Sequence, residues 1–316
     1  MSPTLLVIDT DPGVDDAAAL LLALTSTEVE LRAVTTVFGN VELATTTMNA
    51  RRLLTLASRS DIPVAAGAAR PLVHPQAQRA DKWHGTDGLG GRADTLPAAT
   101  PLDPRGAVTL LADVLRAAKT PVTLAPIGPL TNIALLLAVH PELAGKIDRI
   151  VAMGGALRGG NTTLAAEFNI YADPEAAHRV LAEESVPITL VPLDITMNCW
   201  VDGQWLDELA AAGPRCATLA GVIDHGRKQH QRAFGEDRVV LHDAVAVLEA
   251  VVPGTLSCTS MPLSVECGFG ADRGAVRRAE SSDSRPVDVA LSTDVPRLRA
   301  EILRRLLTLD GAAATA

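Results

Sequence analysis

Short runs of β-branched and other apolar residues alternate along this chain with longer segments whose apolar positions recur at helical spacing. Residues 5–8 (Leu-Leu-Val-Ile) read as a buried first strand, and 15–25 as the helix that follows it. Further strands are expected at 31–37, 63–66, 122–126, 149–153 and 188–192, with helices at 41–57, 106–118, 131–139, 174–184 and 205–212. After Gly213 the pattern reads as helical through 242–252, then as strands at 261–267 and 287–292 and a last helix at 295–307. Strands alternating with helices in this way predict an α/β fold: one domain over residues 1–316, with an open, mostly parallel central sheet flanked by helices. Two stretches lack the pattern. Residues 70–100 are rich in Gly, Pro, His and Asp, as long functional loops are, and 311–316 read as a frayed tail.

Composition narrows the function. Hydrophobic residues make up 47% and charged residues 21% of the 316, enough for a large core. A net charge of −9 argues against nucleic-acid backbones, which need a basic face, and 3% aromatics leave few stacking platforms for single strands. No apolar run approaches the roughly 20 residues of a membrane span, and the start carries no basic leader. Cys199, Cys216, Cys258 and Cys267 form no CxxC pair, so they read as thiols. The expectation is a cytoplasmic protein acting on a small molecule, with neither nucleic acid nor membrane as partner.

The most informative stretch is Asp9-Thr10-Asp11-Pro12-Gly13-Val14-Asp15-Asp16, where the first strand ends and the first helix begins. In an open α/β sheet, ligands bind at that edge. Helix capping accounts for one or two of these acids. Four crowded carboxylates repel unless a cation or raised pKa values relieve them, and an oxygen-rich cluster suits a hard cation. An Asp-x-Asp at a strand end also marks haloacid-dehalogenase-type phosphatases, with the first Asp as nucleophile. Here Pro12-Gly13 follows where Thr or Val is expected, which counts against that alternative.

The longer string resembles the N-terminal signature of the nucleoside hydrolase family, Asp-x-Asp-Pro-Gly-x-Asp-Asp. Other motifs of that family follow in order: Phe38-Gly39-Asn40, Trp83-His84-Gly85 through Gly88-Leu89-Gly90, Gly128-Pro129-Leu130-Thr131-Asn132, Met153-Gly154-Gly155, Glu167-Phe168-Asn169 and His242-Asp243. The resemblance covers almost the whole chain and implies a Rossmann-like core of the inosine–uridine-preferring type. It also implies hydrolysis of the N-glycosidic bond of ribonucleosides to ribose and free base.

By that resemblance Asp11, Asp16, Asp243 and the carbonyl of Ile127 hold calcium (Ca2+), whose flexible shell takes carboxylate and backbone oxygens. Asp11 also accepts a proton from the attacking water, and His242 protonates the departing base. Asp15, Asn40, Met153, Asn161, Glu167 and Asn169 are implied as the ribose-binding set. Read alone, the Asn and Glu residues fit turn chemistry, Met153 fits core, and His242 a helix cap; the ordered series is what assigns them. The base contacts are open: residues 224–234 hold His225, His230 and Phe234 but no Tyr, and the chain's one Tyr is Tyr171. His230 or His225 is the candidate, and Trp83 and His84 of the long loop are expected to close over the bound substrate. The resemblance further implies a homodimer or homotetramer. A metal-dependent aspartyl phosphatase using Asp9, or a non-catalytic nucleoside or ribose binder, are the alternatives.

Overall fold

The computed structural model describes residues 3–75, 78–280 and 285–311. Its strands are β1 (Thr4–Thr10), β2 (Val29–Thr36), β3 (Val64–Ala66), β4 (Val122–Pro126), β5 (Ile147–Met153), β6 (Ile188–Val191), β7 (Trp200–Val201), β8 (Val239–Val240), β9 (Ser257–Val265), β10 (Val276–Arg278) and β11 (Pro286–Ser292). Nine of them form one sheet in the order β10-β9-β11-β6-β5-β4-β1-β2-β3. Every pairing from β11 to β3 is parallel, and β9 runs antiparallel to both β11 and β10. The mostly parallel sheet expected from the alternating pattern is therefore present, with an antiparallel margin formed by the C-terminal strands.

The helices are α1 (Val14–Leu24), α2 (Leu43–Leu56), α3 (Asp81–His84), α4 (Ala107–Ala117), α5 (Thr131–Val139), α6 (Phe168–Ala172), α7 (Pro174–His178), α8 (Leu193–Thr196), α9 (Gly203–Ala211), α10 (Pro214–Phe234), α11 (His242–Val251) and α12 (Val295–Leu306). They cover both faces of the sheet, because successive residues of a strand point to opposite sides. Leu6 and Ile8 of β1 pack into a core with α1, α10, α11 and α12, whereas Val7 packs into the opposite core with α4 and α5. With both faces covered, β1 has no water-facing side, which is why its pattern is continuous rather than alternating.

The structure departs from the sequence reading in three places. The helical stretch after Gly213 is two helices: α10 stops at Gly235, whose φ of 74° is left-handed, and β8 pairs with β7 before α11 begins. The segment expected as a helix over 174–184 is α7 followed by a wider π turn over Arg179–Glu183. The described part of residues 70–100 holds regular structure that its composition does not suggest, α3 and a 3-10 turn at Ala93–Thr95, while residues 76–77 lie outside the described residues. The Asp87 carboxylate accepts from the amides of Leu89, Gly91 and Ala93, and Leu89 is fully buried in the core. Residues 312–316 of the expected tail lie outside the described residues. No helix among the described residues is long and apolar enough to cross a membrane.

Candidate active site

Strand β1 lies between β4 and β2, so the chain leaves it on one side towards β2 and β3 and returns on the other through β4 to β6. The crevice opened at the carboxyl ends by such a reversal is where α/β sheets bind ligands. Asp11 follows β1, Asn40 follows β2, Ile127 follows β4, and Met153 ends β5. The first turns of α1 and α11 add Asp15, Asp16, His242 and Asp243.

Asp15, Asp16 and Asp243 are buried and offer carboxylate oxygens that all lie within 4.8 Å of one another. Asp16 is fixed by Thr10 Oγ1 at 2.5 Å, the Gly13 amide at 2.9 Å and Asn40 Nδ2 at 3.0 Å. Asp11 stands outside that three-way convergence: its Oδ2 accepts the Asn40 amide at 2.7 Å, and its Oδ1 is buried with no hydrogen-bond partner among the described residues. Burial, then repulsion from Asp16, raises the Asp11 carboxyl well above the ordinary range. Burial and the neighbouring carboxylates do the same to Asp243; they also raise Asp16, and burial raises Asp15. An all-oxygen set with an orphaned buried carboxylate oxygen fits a hard divalent cation, which would relieve this repulsion. The convergent set differs from the sequence expectation in two respects: Asp15, expected at the ribose, stands with Asp16 and Asp243, and Asp11, expected among the ligands, stands outside it.

Ile127 and Met153 present carbonyls to a single side chain. Asn169 Nδ2 donates to the Ile127 carbonyl at 3.0 Å and to the Met153 carbonyl at 3.2 Å. Asn169 sits in α6, whose N-cap is Glu167. The Glu167 carboxylate accepts from the amides of Asn169, Ile170 and Gly155, while burial pushes its pKa to about 7. Asn161 Oδ1 accepts the Phe168 amide at 2.9 Å.

These groups border one cavity of about 680 Å³. Asp15, Asn40, Ile127, Met153, Asn161, Glu167, Asn169 and Asp243 line it from the strand ends, α1, α6 and α11. His84, His230 and His242 line it as well, together with Trp83, Phe234, Met197, Val239 and Val240. Asp11 and Asp16 are not among the lining residues and lie behind it.

His84 Nδ1 accepts the Val14 amide at 3.0 Å and lies 3.9 Å from Asp15, tying α3 to the start of α1. His242 Nδ1 is paired with Thr196 Oγ1 at 2.7 Å. Burial lowers both imidazoles to about 4, with His84 adding to the shift at His242. Both rings are thus neutral near pH 7, unlike the near-neutral titration that an exposed imidazole would show. Trp83 stacks on Phe234 with centroids 6.0 Å apart and planes 8° from parallel, and Phe234 also packs against His230 at 4.7 Å.

Sequence reasoning missed two features of this site. Thr196 lies in α8, a short turn with no motif around it. Asp9, the first acid of the cluster, is buried; its Oδ1 accepts from Thr35 Oγ1 at 2.5 Å and Asn132 Nδ2 at 2.8 Å, and burial lifts its pKa to about 7. The Asn132 that closes the Gly128–Asn132 motif was the available signal for that contact.

The sequence model of the inosine-uridine preferring nucleoside hydrolases matches residues 6–300. A pyrimidine-specific ribonucleoside hydrolase RihA from Photobacterium profundum is 40% identical over 296 residues, covering 92% of this chain and 94% of its own. RihA from Shewanella sp. (strain ANA-3) is 43% identical over 263 residues, covering 83% and 82%. Among solved structures, the plant nucleoside hydrolase PpNRh1 superposes with a TM-score of 0.91 at 33% identity, over 96% of this chain and 99% of its own. The purine-preferring ribonucleoside hydrolase from Gardnerella vaginalis gives 0.91 at 28% identity, over 97% and 99%. With a crevice of buried carboxylates at the switch point of its sheet, and matches running nearly end to end, the chain belongs to the inosine-uridine preferring nucleoside hydrolase family and is an N-glycosyl hydrolase of ribonucleosides.

Proposed function

We propose that this enzyme hydrolyses pyrimidine ribonucleosides with calcium as its cofactor. The observation that carries the reading is the convergence of Asp15, Asp16 and Asp243 at the edge of a cavity large enough for a nucleoside. The pyrimidine preference draws on the names of the relatives that are 40% and 43% identical.

Calcium, held by Asp11, Asp16, Asp243 and the Ile127 carbonyl, would supply positive charge that orients and acidifies water and anchors ribose hydroxyls. Asp11 takes the proton from the attacking water; its orphaned Oδ1 is the free acceptor. Asp15 holds a ribose hydroxyl, with Asn40, Asn169 and Met153 around the ring and Asn161 and Glu167 towards the 5′-hydroxyl. His242 protonates the departing base, whose developing negative charge raises the proton affinity of the ring. His230 contacts the base, and the 70–100 loop closes over the substrate through Trp83 and His84, which line the cavity. The working unit is a homodimer or homotetramer. A phosphatase reading is disfavoured because the nucleoside hydrolase match runs over residues 6–300, and Oδ1 of Asp9, its required nucleophile, is engaged by Thr35 and Asn132.

Release of ribose from uridine, cytidine, inosine and adenosine, with calcium and with a chelator, tests this reading. Chelator-sensitive release, fastest with uridine or cytidine, is expected. A chelated enzyme of undiminished activity would remove the metal, and faster purine release would remove the preference.

A further inference from the structure

We infer that Thr196 is a positioning residue for His242: its hydroxyl fixes the imidazole through Nδ1 and so aims Nε2 at the leaving base. The inference rests on the reading of His242 as general acid.

Thr196 is fully buried at the end of α8, and its Oγ1 lies 2.7 Å from His242 Nδ1. No other hydrogen bond of this hydroxyl occurs among the described residues. A buried hydroxyl needs a partner, and a valine would fill the same space with no polar atom. The hydroxyl is therefore there for the ring. Its support is rigid. The Leu193 amide donates to the Gly155 carbonyl at 2.9 Å, Asp194 Oδ2 accepts the Leu157 amide at 2.7 Å, and the Thr196 amide returns to the Pro192 carbonyl at 3.2 Å.

With Nδ1 taken, Nε2 is the nitrogen left for the cavity that His242 lines. A hydroxyl suits this place because it accepts from Nδ1–H and also donates to a bare Nδ1. It follows the ring through either protonation state without moving it. In the step itself the ring, neutral at rest, takes a proton from solvent at Nε2 as negative charge develops on the bound base. The imidazolium then breaks that Nε2–H bond and passes the proton to the base, which has received the electron pair of the broken glycosidic bond. Nδ1–H keeps its bond to Thr196 Oγ1, and the ring ends neutral.

The test compares Thr196→Val, Thr196→Ser and His242→Ala on uridine and on 4-nitrophenyl β-D-ribofuranoside, whose phenolate departs without a proton. On uridine, Thr196→Val is expected to lose about tenfold or more in kcat with KM little changed, part of the gain usual for general acid catalysis. The loss should shrink on the nitrophenyl riboside, and Thr196→Ser should restore turnover of uridine. Should Thr196→Val not fold, Thr196→Cys, similar in size with a weakly bonding thiol, carries the same expectation. If His242→Ala keeps full turnover of uridine, the general-acid reading falls and this inference with it. If His242→Ala is inactive on uridine and Thr196→Val is not impaired, the role of Thr196 alone falls. Equal losses on both substrates, or no recovery in Thr196→Ser, would make Thr196 merely structural and overturn the inference.

Discussion

The side-chain amide of Asn169 lies 3.0 Å from the carbonyl oxygen of Ile127, joining α6 to the end of β4 beside the cavity that both residues line. The same amide serves Met153, so one side chain holds two strand ends in place. Asn169→Leu keeps the size of the side chain and removes the donor. Buried carbonyls left without a partner cost about 1–3 kcal/mol, and KM for a nucleoside should rise by about tenfold or more. Steady-state kinetics decide it, and an unchanged KM would show that the amide is dispensable.

Asp11→Asn should separate activity from stability. Loss of the proton acceptor is expected to lower kcat by about 10³. Burial and Asp16 raise the Asp11 carboxyl, so its charged form is unfavourable in the folded protein. Sign follows directly: a carboxyl raised on folding favours the folded state least when ionised. In chelator near pH 7 the variant should melt at or above the wild-type temperature. A clearly lower melting temperature would mean that Asp11 is needed for the fold.

The stack of Trp83 on Phe234 fastens α3 to α10 across the mouth of the cavity. Such pairs contribute about 0.5–1.5 kcal/mol beyond the area they bury. Trp83→Ala should loosen this fastening and raise KM by about two- to tenfold, with kcat held within a factor of about two. Phe234→Leu should do the same. A fall in kcat at constant KM in both variants would instead place the pair in the chemical step.

Far from the site, Glu301 is held at about 2 by Arg304, against partial burial, with help from Arg305. A carboxylate depressed on folding adds stability above its unfolded value of 4.5, and that contribution is lost as pH falls towards about 2. Glu301→Gln should therefore melt below wild type at pH 7, and the gap should narrow through that acid range. The effect is small because Glu301 is partly exposed. A gap that widens in acid would contradict the assignment.

Much of the fold was legible because β1, β4 and β5 are short apolar runs and the helices between them are apolar along one face, as α4 is, or nearly throughout, as α1 and α5 are. The strand at Val122–Pro126 and the helix at Thr131–Val139 lie where the pattern put them. Some short strands were not legible: β7 and β8 have two residues each, and β10 is Val-Arg-Arg, whereas the equally short β3 is Val-Ala-Ala and reads as an apolar run. The acidic cluster announced itself through local crowding. The carboxylate of Asp243 joins it only in three dimensions, and the sequence reached it by family resemblance alone. Thr196 and the partnership of Trp83 with Phe234 were invisible for a physical reason: each contact depends on two segments meeting, and Thr196 and Phe234 lie in no motif.

Asp16 opens α1 near the start of the sequence, and Asp243 opens α11 far downstream of it. Neither helix brings more than part of the acidic set. A chain still emerging from the ribosome therefore has no such site until α11 has been made and has docked on α1. A fragment ending before His242 would keep the four early aspartates and have no Asp243 to complete the set. Tight cation binding would then report that the chain had been made and folded at least as far as α11, and copies truncated before it would lack the complete set.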